Sequence, residues 1–288
     1  MMEESVEKEP LSPKFLSLSS GSSGNCYFLG RFRGRECVDG ILIDAGVSLR
    51  RLKAVFADEG ISLDCIRAVL VTHDHMDHIR SLASYCKKLH KPVCTSRVIS
   101  EALCGKSYCL SGLGVTPRVL EEDVSNEVAG FGVRYFIVPH DATQTVGYYI
   151  EVPLEDSLHR FFIMTDAGRV TDEAVRFASM AETVVFESNY DVDMLLAGPY
   201  TAQLKQRIMD GNGHLSNDEC ASALKRFCHS GLRNLFLCHL SENNNTPRRS
   251  YETVAAALEE LCVEGKAKRG AVALRPLPRT VSSGIISL

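Results

Sequence analysis

The chain has 288 residues, 45% of them hydrophobic and 24% charged, enough to bury a sizeable core in one large domain or two small ones. Its formal net charge of −4 excludes a nonspecific nucleic-acid coat protein, which needs a basic surface, but leaves room for a local basic groove. The sequence lacks the run of about 18 apolar residues that a membrane span needs, and the acidic stretch from Met1 to Pro10 is unlike a signal peptide, so a cytoplasmic protein is expected.

Residues 1–12 read as a disordered tail. Phe15 to Leu18 and Cys26 to Leu29 are predicted strands, joined by the small-residue turn from Ser19 to Asn25. Ile41 to Ile43 forms the next strand and stops at Asp44-Ala45-Gly46, with a helix expected over Ser48 to Asp58. Ala68 to Val71 is an unbroken apolar run, the pattern of a strand buried on both faces, and a helix is predicted over Ile79 to Leu89. Further short strands are expected at Pro92 to Cys94, Val133 to Val138, Gly147 to Val152, Phe161 to Met164, Thr183 to Phe186 and Leu235 to Cys238. Helices are predicted over Asp172 to Ala178, Thr201 to Asp210, Asn217 to Cys228 and Tyr251 to Glu264. The stretch from Glu101 to Gly114 has no clear period, and no base-stacking role can be argued there for Tyr108. Gly265 to Leu288 carries Lys266, Lys268, Arg269, Arg275 and Arg279 without an acid and reads as a solvated basic segment.

Strands and helices interspersed in both halves fit an α/β class with two packed sheets faced by helices. Without a Pro/Gly/Ser-rich linker, residues 13–288 are expected to form a single domain. The 11 cysteines contain no CxxC pair and read as reduced and mostly buried.

Four potential metal ligands, His73, His75, Asp77 and His78, fall within six residues directly after a predicted strand. Catalysis by a bound divalent ion requires about three protein donors and an open position for water, which is why this density matters. His73 and His75 alternate along an extended loop, whereas Asp77 and His78 begin the following helix, so the segment can serve two ions. His140, Asp166 and His239 each follow an apolar run at a strand tip. Strand tips collect at one edge of a sheet, which lets these donors converge. His90, His159 and His229 lie outside every motif and receive no role.

These motifs resemble those of the metallo-β-lactamase superfamily, which implies an αββα sandwich of two mixed sheets. By that resemblance His73, His75 and His140 would hold one metal, Asp77, His78 and His239 the other, and Asp166 would bridge. Asp44 matches the superfamily's first acidic motif and would support the ligand loop without binding metal. An Asp at the bridging position, where the antibiotic-cleaving zinc enzymes carry Cys, disfavours that activity. Glu187-Ser188-Asn189-Tyr190 and Gly213-His214-Leu215-Ser216 are similar to segments of the ribonuclease J type of nuclease, which transfers catalytic roles to Glu187 and His214 beside Asp77. Those nucleases insert a large cap domain between the two segments; here only the stretch from Ser188 to Gly213 separates them. With Ser-Gly-Ser-Ser-Gly-Asn-Cys near the start, this points to the WalJ/YycJ family, implying a 5′-to-3′ DNA exonuclease with a part in mismatch repair.

The expected cofactors are two divalent ions, zinc, manganese or iron, which mixed imidazole and carboxylate ligation suits equally. Glu187 would orient His214 toward the scissile phosphate. Lys205 and Arg207 are candidate phosphate contacts or plain exposed helix charges, and Ser22, Ser23 and Asn25 belong to a phosphate-binding turn or to an ordinary hairpin. Hydrolysis of a small ester, thioester or cyclic phosphodiester on the same centre is the alternative, since the fold hosts all of these. A non-catalytic binding role is a third option.

Overall fold

The computed structural model describes residues 9–105 and 110–288, so Tyr108 and residues 1–8 of the expected tail lie outside the described residues. Two seven-stranded sheets lie face to face. The first contains β1 (Leu11–Ser19), β2 (Cys26–Arg33), β3 (Glu36–Ile43), β4 (Ile66–Leu70), β5 (Val93–Thr95) and β6 (Arg118–Val119) in chain order, with β14 (Ile286–Ser287) beside β1. The second runs from β7 (Asn126–Val128) through β8 (Phe131–Val138), β9 (Thr145–Pro153), β10 (Leu158–Met164), β11 (Thr183–Glu187) and β12 (Asn234–Cys238) to β13 (Ala273–Pro276). β3 to β6 are parallel neighbours, as are β10 to β13, while the remaining pairs are antiparallel, so both sheets are mixed.

The strand sequences explain this layering. Along β10, Phe161 and Ile163 enter the core shared by the sheets, whereas Phe162 and Met164 turn to a second core under the helices. The same alternation holds in β12, with Phe236 and Cys238 inward and Leu235 and Leu237 outward. Period-two side-chain direction with apolar residues on both faces is what a doubly covered strand requires. Phe15 of β1 reaches across to Phe161 and Phe236, with ring centroids 5.4 and 5.5 Å away, and ties one sheet to the other.

The helices are α1 (Leu49–Asp58), α2 (Met76–Ile79), α3 (Leu82–Leu89), α4 (Arg97–Gly105), α5 (Asp172–Ala178), α6 (Val192–Ala197), α7 (Ala202–Met209), α8 (Asn217–Phe227) and α9 (Pro247–Val263). Among the described residues no helix is long and apolar enough to cross a membrane. Ser48, Thr171, Thr201, Ser216 and Thr246 cap their helices, each accepting a backbone N–H, and Pro247 at the first position brings α9 four residues upstream of its predicted start at Tyr251.

The sequence reading needs four corrections. The first strand begins at Leu11, inside the segment read as disordered, because Leu11 to Arg33 closes a continuous antiparallel hairpin. The single helix predicted over Ile79 to Leu89 is broken between α2 and α3 at Arg80 and Ser81, where the Ser81 N–H turns to the Ala45 carbonyl at 2.9 Å. The basic C-terminal segment is not solvated throughout: β13 and β14 pair into the two sheets, Leu277 and Ile286 are buried, and the Arg279 carbonyl accepts from Ser19 Oγ at 2.6 Å. α4 and α6 were not anticipated; both are short, so the 3.6-residue period has little length over which to emerge.

Asp44 follows β3, His73 follows β4, His140 follows β8, Asp166 follows β10 and His239 follows β12, all strands whose ends face the same edge of the sandwich. That edge is clasped by three backbone bonds: Asn25 N–H to Asp77 O at 2.8 Å, Gly46 N–H to Asn25 O at 2.9 Å and Ala45 N–H to His78 O at 2.7 Å. A Cβ at Gly46 would lie 1.7 Å from the Asp77 carbonyl oxygen, so only glycine lets these segments meet. The Gly46→Ala substitution is accordingly expected to destabilise the fold by about 1–3 kcal/mol or more, read as a lowered urea midpoint; an unshifted midpoint would contradict the close approach.

Candidate metal centre

Seven side chains meet at the sandwich edge. His73, His75 and His140 present ligand atoms within 4.8 Å of one another, and so do Asp77, His78 and His239. Asp166 stands between the two sets: its Oδ2 is 3.1 Å from His78 Nε2 and its Oδ1 is 3.8 Å from His140 Nε2. The structure therefore brings together every candidate ligand that the sequence motifs single out.

In four of the imidazoles, a neighbour holds the outward nitrogen. His78 donates through Nδ1 to Asp44 Oδ2 at 2.7 Å, and His140 through Nδ1 to the Gly213 carbonyl at 2.8 Å. His239 Nδ1 lies 2.9 Å from Glu187 Oε1, and His73 Nδ1 lies 3.0 Å from Thr72 Oγ1, which donates in turn to Asp44 at 2.8 Å. Each ring is thus fixed with Nε2 facing inward. Nε2 of His73, His140 and His239 is buried without a hydrogen-bond partner. A buried polar atom left unsatisfied costs about 1–3 kcal/mol, and three converging on one volume fit a divalent cation that would take their lone pairs. The donor set of imidazole and carboxylate, with no thiolate, is chemically right for such an ion.

The electrostatics agree. Burial, reinforced by the neighbouring His78, holds His73 well below the usual imidazole range, and burial likewise lowers His140, so both present neutral rings with a free lone pair. Burial also disfavours the charged form of His78, but Asp166, Asp44 and Asp77 outweigh it and raise its pKa well above the ordinary value. Asp166 is opposed by its own burial yet pulled well below the carboxylate range by His239 and His78. His239 is likewise opposed by its burial, yet Asp166, Asp77 and Glu187 raise its pKa to about 10, so protons on both His78 and His239 would have to leave as a cation enters, because a metal ligand must be deprotonated.

Strain accompanies the site. Asp44, Asp166 and His239 have φ of 63°, 55° and 54°, the left-handed region that non-glycine residues avoid. Such outliers cluster at functional sites, where surrounding bonds over-determine them.

His214 lies beside this cluster, with its Nδ1 2.9 Å from Glu187 Oε1. Glu187 is fully buried, and its carboxylate also takes His239 Nδ1 and the backbone N–H groups of Ala167 and Leu215. Burial alone would lower the His214 pKa, but the Glu187 charge and hydrogen bond raise it, and Nδ1 is the nitrogen that Glu187 holds. The Ser216 neighbour caps α8 independently, so the His214 side chain is not needed for the cap.

The candidate phosphate contacts sit in different surroundings. Asn25 is fully buried; its backbone N–H goes to Asp77 O at 2.8 Å, and its Nδ2 lies 2.8 Å from His78 Nε2 and 3.2 Å from Asp77 Oδ2. Ser23 is exposed but outside the pocket lining, whereas Ser22 lines it. Lys205 turns away and donates to the Leu196 carbonyl at 2.6 Å. Arg207 does line the pocket, but its guanidinium is engaged by Asp141. Thr72, Asp141 and Asn189 received no role from the sequence, although Asn189 lies within the Glu187 to Tyr190 segment. The Asp141 carboxylate is 3.4 Å from His140 Nε2, and Asn189 Nδ2 donates to the His239 carbonyl at 2.7 Å. Asp141 directly follows His140, and that adjacency was the available signal for it.

Comparison with known proteins agrees with this geometry. A family model described as the beta-lactamase superfamily domain matches residues 40–239, a span that begins just before Asp44 and ends on His239. The exodeoxyribonuclease YycJ of Bacillus anthracis is 29% identical over 249 residues, covering 85% of this chain and 89% of that protein. The exodeoxyribonuclease WalJ of Streptococcus pneumoniae is 28% identical over 247 residues, 86% of this chain and 88% of that protein. Among solved structures, the metallo-beta-lactamase fold protein YhfI from Bacillus subtilis superposes with a TM-score of 0.64 at 15% identity, covering 94% of this chain and 98% of that one.

Asp44 is the buried carboxylate on which both the His78 ring and Thr72 depend. Substituting Asp44→Asn keeps the size and loses the charge, and is expected to weaken divalent-metal affinity about 10–100-fold in a chelator competition, with the circular dichroism spectrum retained. Unchanged affinity would show that the Asp44–His78 bond does not orient a ligand.

Proposed function

The chain belongs to the beta-lactamase superfamily, and from that premise we propose a metal-dependent phosphodiester hydrolase that acts as a 5′-to-3′ DNA exonuclease. The observation that carries this reading is the His214–Glu187 pair, 2.9 Å apart and beside the cluster of imidazoles and carboxylates. A held proton donor assists the departure of a poor leaving group such as the sugar oxygen of a phosphodiester. Similarity to two proteins named exodeoxyribonucleases supports the same substrate.

The proposed ligands are His73, His75 and His140 for one ion, Asp77, His78 and His239 for the other, with Asp166 shared. Two such ions, zinc, manganese or iron, would supply Lewis acidity and a water acidified toward neutrality. The chain's own residues do the rest. Glu187 fixes the His214 ring and favours its protonated form; His214 Nε2 then hydrogen-bonds a phosphate oxygen and gives its proton to the leaving oxygen. Asp77 and Asp166 keep the centre anionic enough to retain divalent cations while lining the pocket. Ser22 is the proposed phosphate contact on the rim.

The ten described cysteines are all unpaired, as suits a reducing compartment, and cytoplasmic DNA repair is the proposed setting. End-labelled duplex DNA incubated with the protein and Mn²⁺ should release mononucleotides from the 5′ end. Turnover of small esters alone would reject the reading in favour of the alternative substrate class. His214→Ala should lower kcat about 10²–10⁴-fold while metal content is retained. Glu187→Ala, which also frees His239 Nδ1, should lower activity and metal content together; a Glu187 variant with full metal content would separate the two roles assigned to it.

A further inference from the structure

The pocket over the centre is a cavity of about 320 Å³, within the range of small-molecule sites, and its two sides differ in chemistry. Its floor is imidazole and carboxylate. Its wall comes from α7 and the turn before it, which contribute Tyr200, Leu204, Ile208 and Arg207, the last paired with Asp141. No residue of α7 is fully buried, so these apolar side chains are not explained as core. Tyr200 is held in place: its hydroxyl accepts from Asn243 Nδ2 at 2.9 Å, which pins the ring at the edge of the cavity.

An anionic-substrate floor joined to an aromatic and aliphatic wall suits a ligand with a charged reacting end and a flat apolar body. We propose that Tyr200, backed by Leu204 and Ile208, is the platform on which the nucleobase beside the scissile phosphate stacks. This rests on the phosphodiester reading and deepens it, since it assigns the second half of the pocket to the nucleoside. Stacking is tolerant of base identity because every base presents a π-face, which is what an enzyme degrading a strand of any sequence requires. A ring whose orientation is already fixed loses little freedom on binding, so the contact contributes efficiently.

The test compares two 5′-labelled DNA substrates, one with a normal terminal nucleotide and one with an abasic analogue there, using the full chain with Mn²⁺. The intact protein is expected to favour the normal terminus by about tenfold in kcat/KM, in keeping with one stacking contact. Tyr200→Ala should bring that ratio close to one, whereas Tyr200→Phe, which keeps the ring and loses the Asn243 bond, should preserve most of it. A Tyr200→Ala protein that discriminates as well as the intact chain would overturn the platform and leave the phosphodiester reading standing. An intact protein inert on both substrates would overturn that reading, and this proposal with it.

Discussion

The structure turns on one arrangement: outward imidazole nitrogens held by neighbours so that inward nitrogens meet around Asp166. Asp44, Thr72, Glu187 and the Gly213 carbonyl supply the holding bonds, and all but Thr72, which adjoins His73, are far in sequence from the rings they hold. Asp44 and His78 are 34 residues apart, His140 and Gly213 are 73 apart, and Glu187 and His239 are 52 apart. The sandwich exists, in functional terms, to bring those distances to hydrogen-bonding range. A mispaired strand would therefore cost more than packing: it would turn a ring and misdirect a lone pair.

The cost of this arrangement is visible and is met by redundancy. Three left-handed residues and three unpartnered nitrogens are concentrated at one edge, where each would be destabilising alone. Behind them lies a saturated polar layer. Ser188 Oγ donates to Asn217 Oδ1 at 2.6 Å, Asn245 Nδ2 reaches the Ser188 and Asn189 carbonyls at 2.9 and 3.0 Å, and Ser250 Oγ donates to Ser188 Oγ at 2.8 Å. This network binds the end of β11 to the starts of α8 and α9, and so fixes the segment that carries Glu187. Fully satisfied buried networks of this kind rigidify a site. On the opposite side Asn25 Nδ2 contacts Asp77 Oδ2 and His78 Nε2 from the turn after β1.

Much of the centre was legible in the sequence because its donors follow apolar runs at strand tips, and because four of them crowd into one loop. The strands themselves were legible for the same reason: Phe161 to Met164 and Leu235 to Cys238 are apolar on both faces. What the sequence did not disclose was chosen by tertiary partners. Arg207 looks like a free phosphate contact until Asp141, 66 residues away, is seen to hold it. Asn25 in a Ser/Gly turn looks solvent-facing, yet the Gly46 contact folds it under the ligand loop. The C-terminal strands carry charged and small residues with little alternation, and only the open edges at β12 and β1 make them strands. Tyr200, preceding a weakly amphipathic helix, has no local pattern that marks it as part of a cavity wall.

The most direct test of the central claim is the coordination of the bound ions themselves. X-ray absorption on protein purified without added metal, combined with elemental analysis, should find two divalent ions per chain with nitrogen and oxygen neighbours only. Less than one ion per chain, or sulfur in the coordination shell, would mean that the inward-facing imidazoles and Asp166 do not form the centre on which the rest of the account depends.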